Sequence, residues 1–414
     1  MNNDVFNSGV MTKRGLFNRT SDLEIGMDEV TKNYSKEKLI IILFFAIFIM
    51  SQGIRGYLNN ITGSSIFNYH GVPVAIIFFM FLQKRNKFSK ANIVIFLSIL
   101  SLCLIGFLKN RYGFSDLFRT IIGFVAPMMI LLIDYRDIDM KYVFPKIYKY
   151  FNIFIYCTFF IQVIMSIKLG RTGGVVGHPL TSGWYYGIFI SFNMIYYKYF
   201  KGKGDHLIII DIIVALTGTV LAAGRMSLFA VIFLGVIYTF SCCRRRSIPY
   251  LILPVILGVF LSTEIVDKFI WDKFEETAAW GDVTNGRMLG IRDMMFFSIF
   301  PKFLLGRGLG YSNYVSQYLF GVVNFENPII MFAFDYGILT TIFVIVLLLI
   351  IPIGSFINRK NYLLAINFIC LFIIPFTYNG LAETVGIFIV LTFLIYIFLT
   401  LNFSIMKSSD TSGE

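Results

Sequence analysis

Between Leu39 and Asn402 the chain is a succession of apolar segments, most of them about the length of a bilayer crossing, separated by polar connections of which all but one are short. No other feature limits the fold as much. Backbone N–H and C=O groups in hydrocarbon have no water to bond, and an α-helix satisfies them within one segment. The chain therefore reads as all-α, a polytopic integral membrane protein. Residues are 57% hydrophobic and 14% charged, and the mean hydropathy is +0.74, so a soluble globular class is excluded.

The segmentation predicts about twelve transmembrane helices. Their limits fall near residues 39–57, 66–82, 91–108, 117–133, 143–167, 180–197, 206–221, 226–240, 248–263, 328–356, 362–378 and 381–402. Residues 1–37 read as a polar N-terminal tail with no cleavable signal, 38–402 as one transmembrane domain, and 403–414 as a C-terminal tail. The net charge of +12 reports topology and not nucleic acid, because the basic residues gather in alternate connections. One set of connections receives Lys84, Arg85, Lys87 and Lys90, then Arg136, Lys141 and Lys146, then Lys198, Lys201 and Lys203. Arg244, Arg245 and Arg246 follow, then Arg359 and Lys360, and finally Lys407. This pattern predicts both termini in the cytoplasm.

The long connection at residues 264–327, between the ninth and tenth spans, is then external. It carries eight acidic and six basic residues, so it is no general trap for polyanions. Apolar residues at helical spacing in Val266–Phe274 predict a helix on the membrane interface or against the spans. A second helix is expected over residues 287–300, capped by Asn285 and ended by Pro301. Gly306-Arg307-Gly308-Leu309-Gly310 reads as a flexible turn able to expose backbone N–H groups, without the spacing of a nucleotide fingerprint.

External basic residues set beside glycines are the candidates for chemistry. Arg171 lies in Gly170-Arg171-Thr172-Gly173-Gly174, Arg225 follows Gly224, and Arg287 follows Gly286. They oppose the orientation signal, and an arginine at that surface suits an anionic partner. Arg287 also opens a helix, whose positive end reinforces anion binding. His178 precedes Pro179 close to Arg171 and is either a substrate contact or a structural histidine. The three histidines are far apart in sequence, which argues against a metal site. Asp211 and Asp335 are acids within spans and are expected to be paired or functional, with Arg225 a candidate partner for Asp335. The five cysteines lie in spans or at one membrane edge and read as packing residues.

On these residues the chain resembles the O-antigen polymerase and ligase superfamily, the Wzy-like and WaaL-like membrane glycosyltransferases. Arg171-Thr172-Gly173-Gly174 through His178-Pro179 is similar to that family's Arg-x-x-Gly…Pro segment, and Ala223-Gly224-Arg225-Met226-Ser227 to its Ser-Arg turn. Gly286-Arg287 through Leu305-Gly306-Arg307-Gly308 looks like its Gly-Arg…Leu-Gly-x-Gly loop. Glu326-Asn327 followed by Asp335-Tyr336-Gly337 looks like its His-Asn…Glu-x-Gly segment. The resemblance runs from about Arg171 to Gly354. Where ligases typically carry a catalytic histidine this chain has Glu326, which favours a polymerase of polysaccharide repeat units over a ligase.

The resemblance implies a GT-C-like enzyme in the bacterial cytoplasmic membrane, acting at the outer face on polyprenyl-diphosphate-linked oligosaccharide. Arg171, Arg225, Arg287 and Arg307 are then the diphosphate ligands. Glu326 is the group that orients or deprotonates the acceptor, Arg287 is its catalytic partner, and His178, Asn327 and Asp335 contact the sugar or acceptor. Because the donor arrives preactivated, no cofactor and no nucleotide are expected. The partners implied are the lipid-linked substrate, the bilayer and, as a candidate, a chain-length regulator protein. The competing classes are a ligase, a flippase for lipid-linked oligosaccharide, and a cell-wall glycan polymerase of the shape and division type.

Overall fold

A computed structural model describes residues 36–50, 52–63, 71–83, 88–110, 114–202, 206–243, 287–321, 327–377, 380–383 and 385–410, with isolated positions 254, 258, 267, 271, 272, 275 and 325. In chain order the helices are α1 (Lys36–Ile49), α2 (Gln52–Thr62), α3 (Gly71–Phe81), α4 (Lys90–Asn110), α5 (Leu117–Leu132), α6 (Met140–Leu169), α7 (Pro179–Tyr196) and α8 (His206–Leu221). There follow α9 (Arg225–Cys242), α10 (Arg287–Phe296), α11 (Tyr311–Tyr314), α12 (Pro328–Tyr336), α13 (Ile338–Asn358), α14 (Tyr362–Thr377), α15 (Gly380–Glu383) and α16 (Val385–Asp410). Among the described residues the only extended pairing is an isolated antiparallel bridge between Phe88 and Ile133.

Five of these helices are long and apolar enough to cross a membrane, and the bent pair α1–α2 makes a sixth if taken as one span. Four shorter apolar helices, α3, α5, most of α8, and α14, add to them. The protein is thus a polytopic, all-helical membrane protein. Of the spans expected from sequence, 248–263 lies outside the described residues except for positions 254 and 258. The expected interfacial helix at Val266–Phe274 is described only at 267, 271 and 272, and Asn285 is not described.

Two spans differ from expectation. The first does not continue to Tyr57: α1 ends at Ile49 and the chain bends by 78° into α2. The tenth is broken into α12 and α13 at Gly337, whose φ of 95° and ψ of 155° no helix can contain. The second helix of the long connection stops at Phe296, ahead of Ser298 at φ 53°.

Helix α7 is the central pillar. Every residue from Thr181 to Ile195 is buried, the polar Thr181, Ser182, Ser191 and Asn193 included. Trp184 donates its indole N–H to Leu371 O (2.9 Å), tying α7 to α14. Phe48, Phe151, Tyr185 and Phe393 interlock α1, α6, α7 and α16 with centroid separations of 5.1 to 6.2 Å. Lipid is as apolar as these rings, so close packing and satisfied polar groups hold the bundle together. Asp211 illustrates the second: Tyr156 Oη donates to it at 2.6 Å and Tyr238 Oη at 3.2 Å, a tyrosine clamp joining α6, α8 and α9.

The bundle has two distinct ends. At one, Asp139 N donates to Glu37 (3.1 Å), Phe88 meets Ile133, and Asn361 donates to the Asn402 side chain. At the other, residues 170–178 meet the 222–224 turn. Of the described basic residues, Arg136, Lys141, Lys146, Arg359 and Lys360 belong to the first end and the glycine-flanked Arg171 and Arg225 to the second, as alternating crossings require.

Candidate functional site

The second end is organised around Gln162, buried in the last turns of α6. Its amide nitrogen donates to Thr172 O (2.8 Å) and Gly218 O (3.2 Å). Its oxygen accepts from Tyr186 Oη (2.7 Å) and Ser182 Oγ (3.4 Å). One side chain therefore pins the segment after Arg171 to both α7 and α8. Thr172 N bonds Leu221 O (3.3 Å), and Arg171 Nε donates to Ala222 O (3.2 Å). The guanidinium of Arg171 stays exposed and is brought to the turn that starts α9 with Arg225.

That turn is strained. Ala223 has φ 49°, a conformation a residue with a Cβ adopts at a cost of about 1–3 kcal/mol. The strain reverses the chain within three residues and presents half-buried Arg225 at a helix start. His178 is the N-cap residue of α7, and its pKa lies below the usual histidine value of 6.5. Partial desolvation is the main cause and the positive charge of Arg171 the second, although the side chain keeps solvent contact. Near pH 7 the imidazole is thus neutral and able to accept a proton. If it serves as a base, activity should fall with acid through a midpoint below 6.5. A pH–rate profile checks this: that limb should disappear in His178→Asn, and a limb unchanged in the variant would remove His178 from the chemistry.

Helix α2, set off by the 78° bend, packs on the 174–176 turn. It brings half-buried Arg55 within electrostatic reach of Tyr185. Sequence reasoning passes over Arg55 and Gln162. Arg55 carries the same signal as the other arginines, because it precedes Gly56, but it falls inside a stretch read as membrane span. Gln162 is a lone polar residue among apolar neighbours and gives no sign of what it holds.

The break at Gly337 forms a second assembly. Breaking a helix frees carbonyls before the break and N–H groups after it, and in an apolar setting these need partners. Residues 302–308 supply them. Arg307 N bonds Phe334 O (3.0 Å), Gly308 N bonds Asp335 O (2.8 Å), Ile338 N bonds Lys302 O (3.0 Å) and Leu339 N bonds Phe303 O (2.9 Å). Buried Asp335 accepts from Gly310 N (3.1 Å) and Ser312 N (2.7 Å) through its two carboxylate oxygens. The expected pairing of Asp335 with Arg225 gives way to these backbone donors. Gly306-Arg307-Gly308-Leu309-Gly310 is likewise not a turn with N–H groups on offer, since those of Arg307, Gly308 and Gly310 are taken.

Two of the motifs singled out in the sequence therefore meet, as a clasp. The cavity beneath, bounded by Cys103, Gly106, Leu309, Asp335 and Tyr336, holds about 20 Å³, room for about one water and no sugar. Arg307 lies on the outside of the clasp, donating to Tyr311 Oη (2.8 Å) and stacked 4.9 Å over that ring. Asn327 caps α12, its side-chain oxygen accepting from Ile329 N (3.1 Å) and Ile330 N (3.3 Å). Arg287 begins α10, with its side chain outside the described residues, as is Glu326. Residues 374–377 pack on both α9 and α12 and so link the helix that Arg225 begins to the clasp.

No protein-family model matches this chain, and no curated protein matches it in sequence. The arginines, the histidine and the clasp therefore carry the functional argument themselves. Arg171 and His178 face one another electrostatically beside the turn bearing Arg225. Cations that bind anions and a neutral imidazole that accepts a proton are the equipment for displacing an anionic leaving group.

Proposed function

We propose that this protein polymerises polyprenyl-diphosphate-linked oligosaccharide repeat units into a surface polysaccharide, at the outer face of a bacterial cytoplasmic membrane. The observation that supports it is the platform of Arg171, His178 and the Arg225 turn at one end of an apolar bundle, where a lipid-borne substrate arrives by lateral diffusion. In this reading the chain has about twelve spans in a GT-C-like arrangement with both termini cytoplasmic.

The acceptor hydroxyl oxygen attacks the anomeric carbon of the donor. The bond from that carbon to the phosphate oxygen breaks, and polyprenyl diphosphate leaves with the electron pair. Arg171 and Arg225 hold the departing charge, since a guanidinium fork matches phosphate oxygens. The acceptor proton passes to His178 or to the Glu326 carboxylate. His178 lies in the field of the diphosphate-binding Arg171, which supports a neutral imidazole for this step. Arg307 and Asp335 have structural engagements in the clasp, and their part is to hold the neighbouring wall in place.

Purified protein incubated with synthetic lipid-linked repeat units should give products longer by whole repeats. Transfer only to a different acceptor would make it a ligase. Intact substrate that crosses a liposome bilayer would make it a flippase.

A further inference from the structure

At the end of the bundle opposite the arginine platform, α1 and α6 run side by side in the same direction. Glu37 meets Asp139 at their starts, and Phe45 meets Tyr150 (5.0 Å) further along. A groove of about 980 Å³ opens between and beside them. Its composition is graded along the helix axes. Lys38, Lys146 and Lys149 line it near the helix starts, and Ile42, Phe45 and Ile153 line it further in. Among the described residues that line it none is acidic; the adjacent Glu37 is buried and accepts from Asp139 N.

The length of α6 sets the depth of the lysines. Its 30 residues span ~45 Å against ~30 Å of hydrocarbon, so about ten residues reach beyond the apolar layer. Lys146 and Lys149 lie in the second and third turns and Ile153 one turn further, so with the excess at this end the lysines come to headgroup height and Ile153 to the acyl chains. Lys146 is already oriented, with Nζ 3.5 Å from the centroid of the Tyr142 ring. Lys38 and Lys149 are exposed.

We infer that this groove binds an anionic phospholipid, with its phosphate among Lys38, Lys146 and Lys149 and an acyl chain along Ile42, Phe45 and Ile153. Among the described residues, Lys146 lies in electrostatic reach of one carboxylate, that of Glu37, so a net positive charge remains on the three cations. A zwitterionic lipid gains less from it than an anionic one, and a free anion gains nothing from the apolar half. The site is independent of the arginine platform and of the reaction proposed for it.

The test uses the full chain in phosphatidylcholine vesicles with and without phosphatidylglycerol, reading retained phosphatidylglycerol by native mass spectrometry. Wild type should retain one such lipid per chain, and Lys38→Gln, Lys146→Gln and Lys149→Gln combined should weaken retention at least tenfold. A control with Lys198→Gln, Lys201→Gln and Lys360→Gln removes equal charge elsewhere and should retain lipid as wild type does. Thermal midpoints in phosphatidylcholine alone should match across the three proteins, showing that each is folded. Ile153→Ser should also reduce retention. Equal loss in both triple variants, displacement of the lipid by inorganic phosphate, or displacement by polyprenyl phosphate would each overturn the assignment. Those results would mean a diffuse surface charge effect, a bare anion site and a substrate site, respectively.

Discussion

Gly306→Ala should destabilise the protein by about 3 kcal/mol and abolish activity with it. An added Cβ would lie 2.1 Å from Asp335 O and 2.3 Å from Tyr336 N, atoms of a backbone that cannot swing aside as a side chain can. Seating it would require the 302–308 segment to lift from the broken helix. The bonds of Arg307 N, Gly308 N, Ile338 N and Leu339 N would be lost together. Asp335→Ala attacks the same clasp from the other side. It leaves Gly310 N and Ser312 N without acceptors, at about 1–3 kcal/mol each where buried. Asp335→Asn should be milder, since the amide keeps one acceptor oxygen. Unfolding in detergent, followed through an SDS titration, checks the order Gly306→Ala and Asp335→Ala below Asp335→Asn below wild type. A Gly306→Ala protein as stable as wild type would mean the clasp does not form.

Gln162→Leu should cost a similar amount by a different route. Leucine fills the space but removes two donors and two acceptor bonds, leaving Thr172 O and Tyr186 Oη as buried orphans. The functional consequence is separate from the loss of stability. Thr172 adjoins Arg171, so releasing it moves a guanidinium whose position relative to Arg225 the reaction needs, for an expected 10–100-fold loss of rate. Gln162→Glu, kept protonated by burial, retains an acceptor for Tyr186 and Ser182 but has one O–H for the two carbonyls Thr172 O and Gly218 O, and should fall between Gln162→Leu and wild type. Initial rates, compared at equal folded fraction, separate positioning from stability. A Gln162→Leu enzyme with wild-type rate would show that the platform is held by something else.

The membrane class was legible in the sequence because composition and segment length suffice for it, and ten of the spans have a helical counterpart that is long or apolar. Helix α7 was legible as a span but not as the buried pillar, since Thr181, Ser182, Ser191 and Asn193 interrupt its apolar run. The break at Gly337 was not legible. A glycine in an apolar run has the same hydropathy whether the helix continues or stops, and the partners that permit the stop lie about thirty residues earlier, at Lys302–Gly308. The bend after Ile49 was hidden in the same way, and Arg55 with it. Of the site residues, Arg171, Arg225 and His178 share one region because their connections alternate to one end. Asp335 was recognised as an outlier, but charge alone suggested an arginine, whereas the partners are the N–H groups of a glycine turn.

The most direct measurement of the central claim compares wild type with Arg171→Ala and Arg225→Ala, each purified, folded by the same thermal criterion, and supplied with one synthetic polyprenyl-diphosphate-linked repeat unit. Wild type should give a ladder of whole-repeat products and each variant a rate lower by ~10²–10³, as expected for a lost charge-stabilising donor. A full ladder from both variants would remove the arginine platform from the reaction.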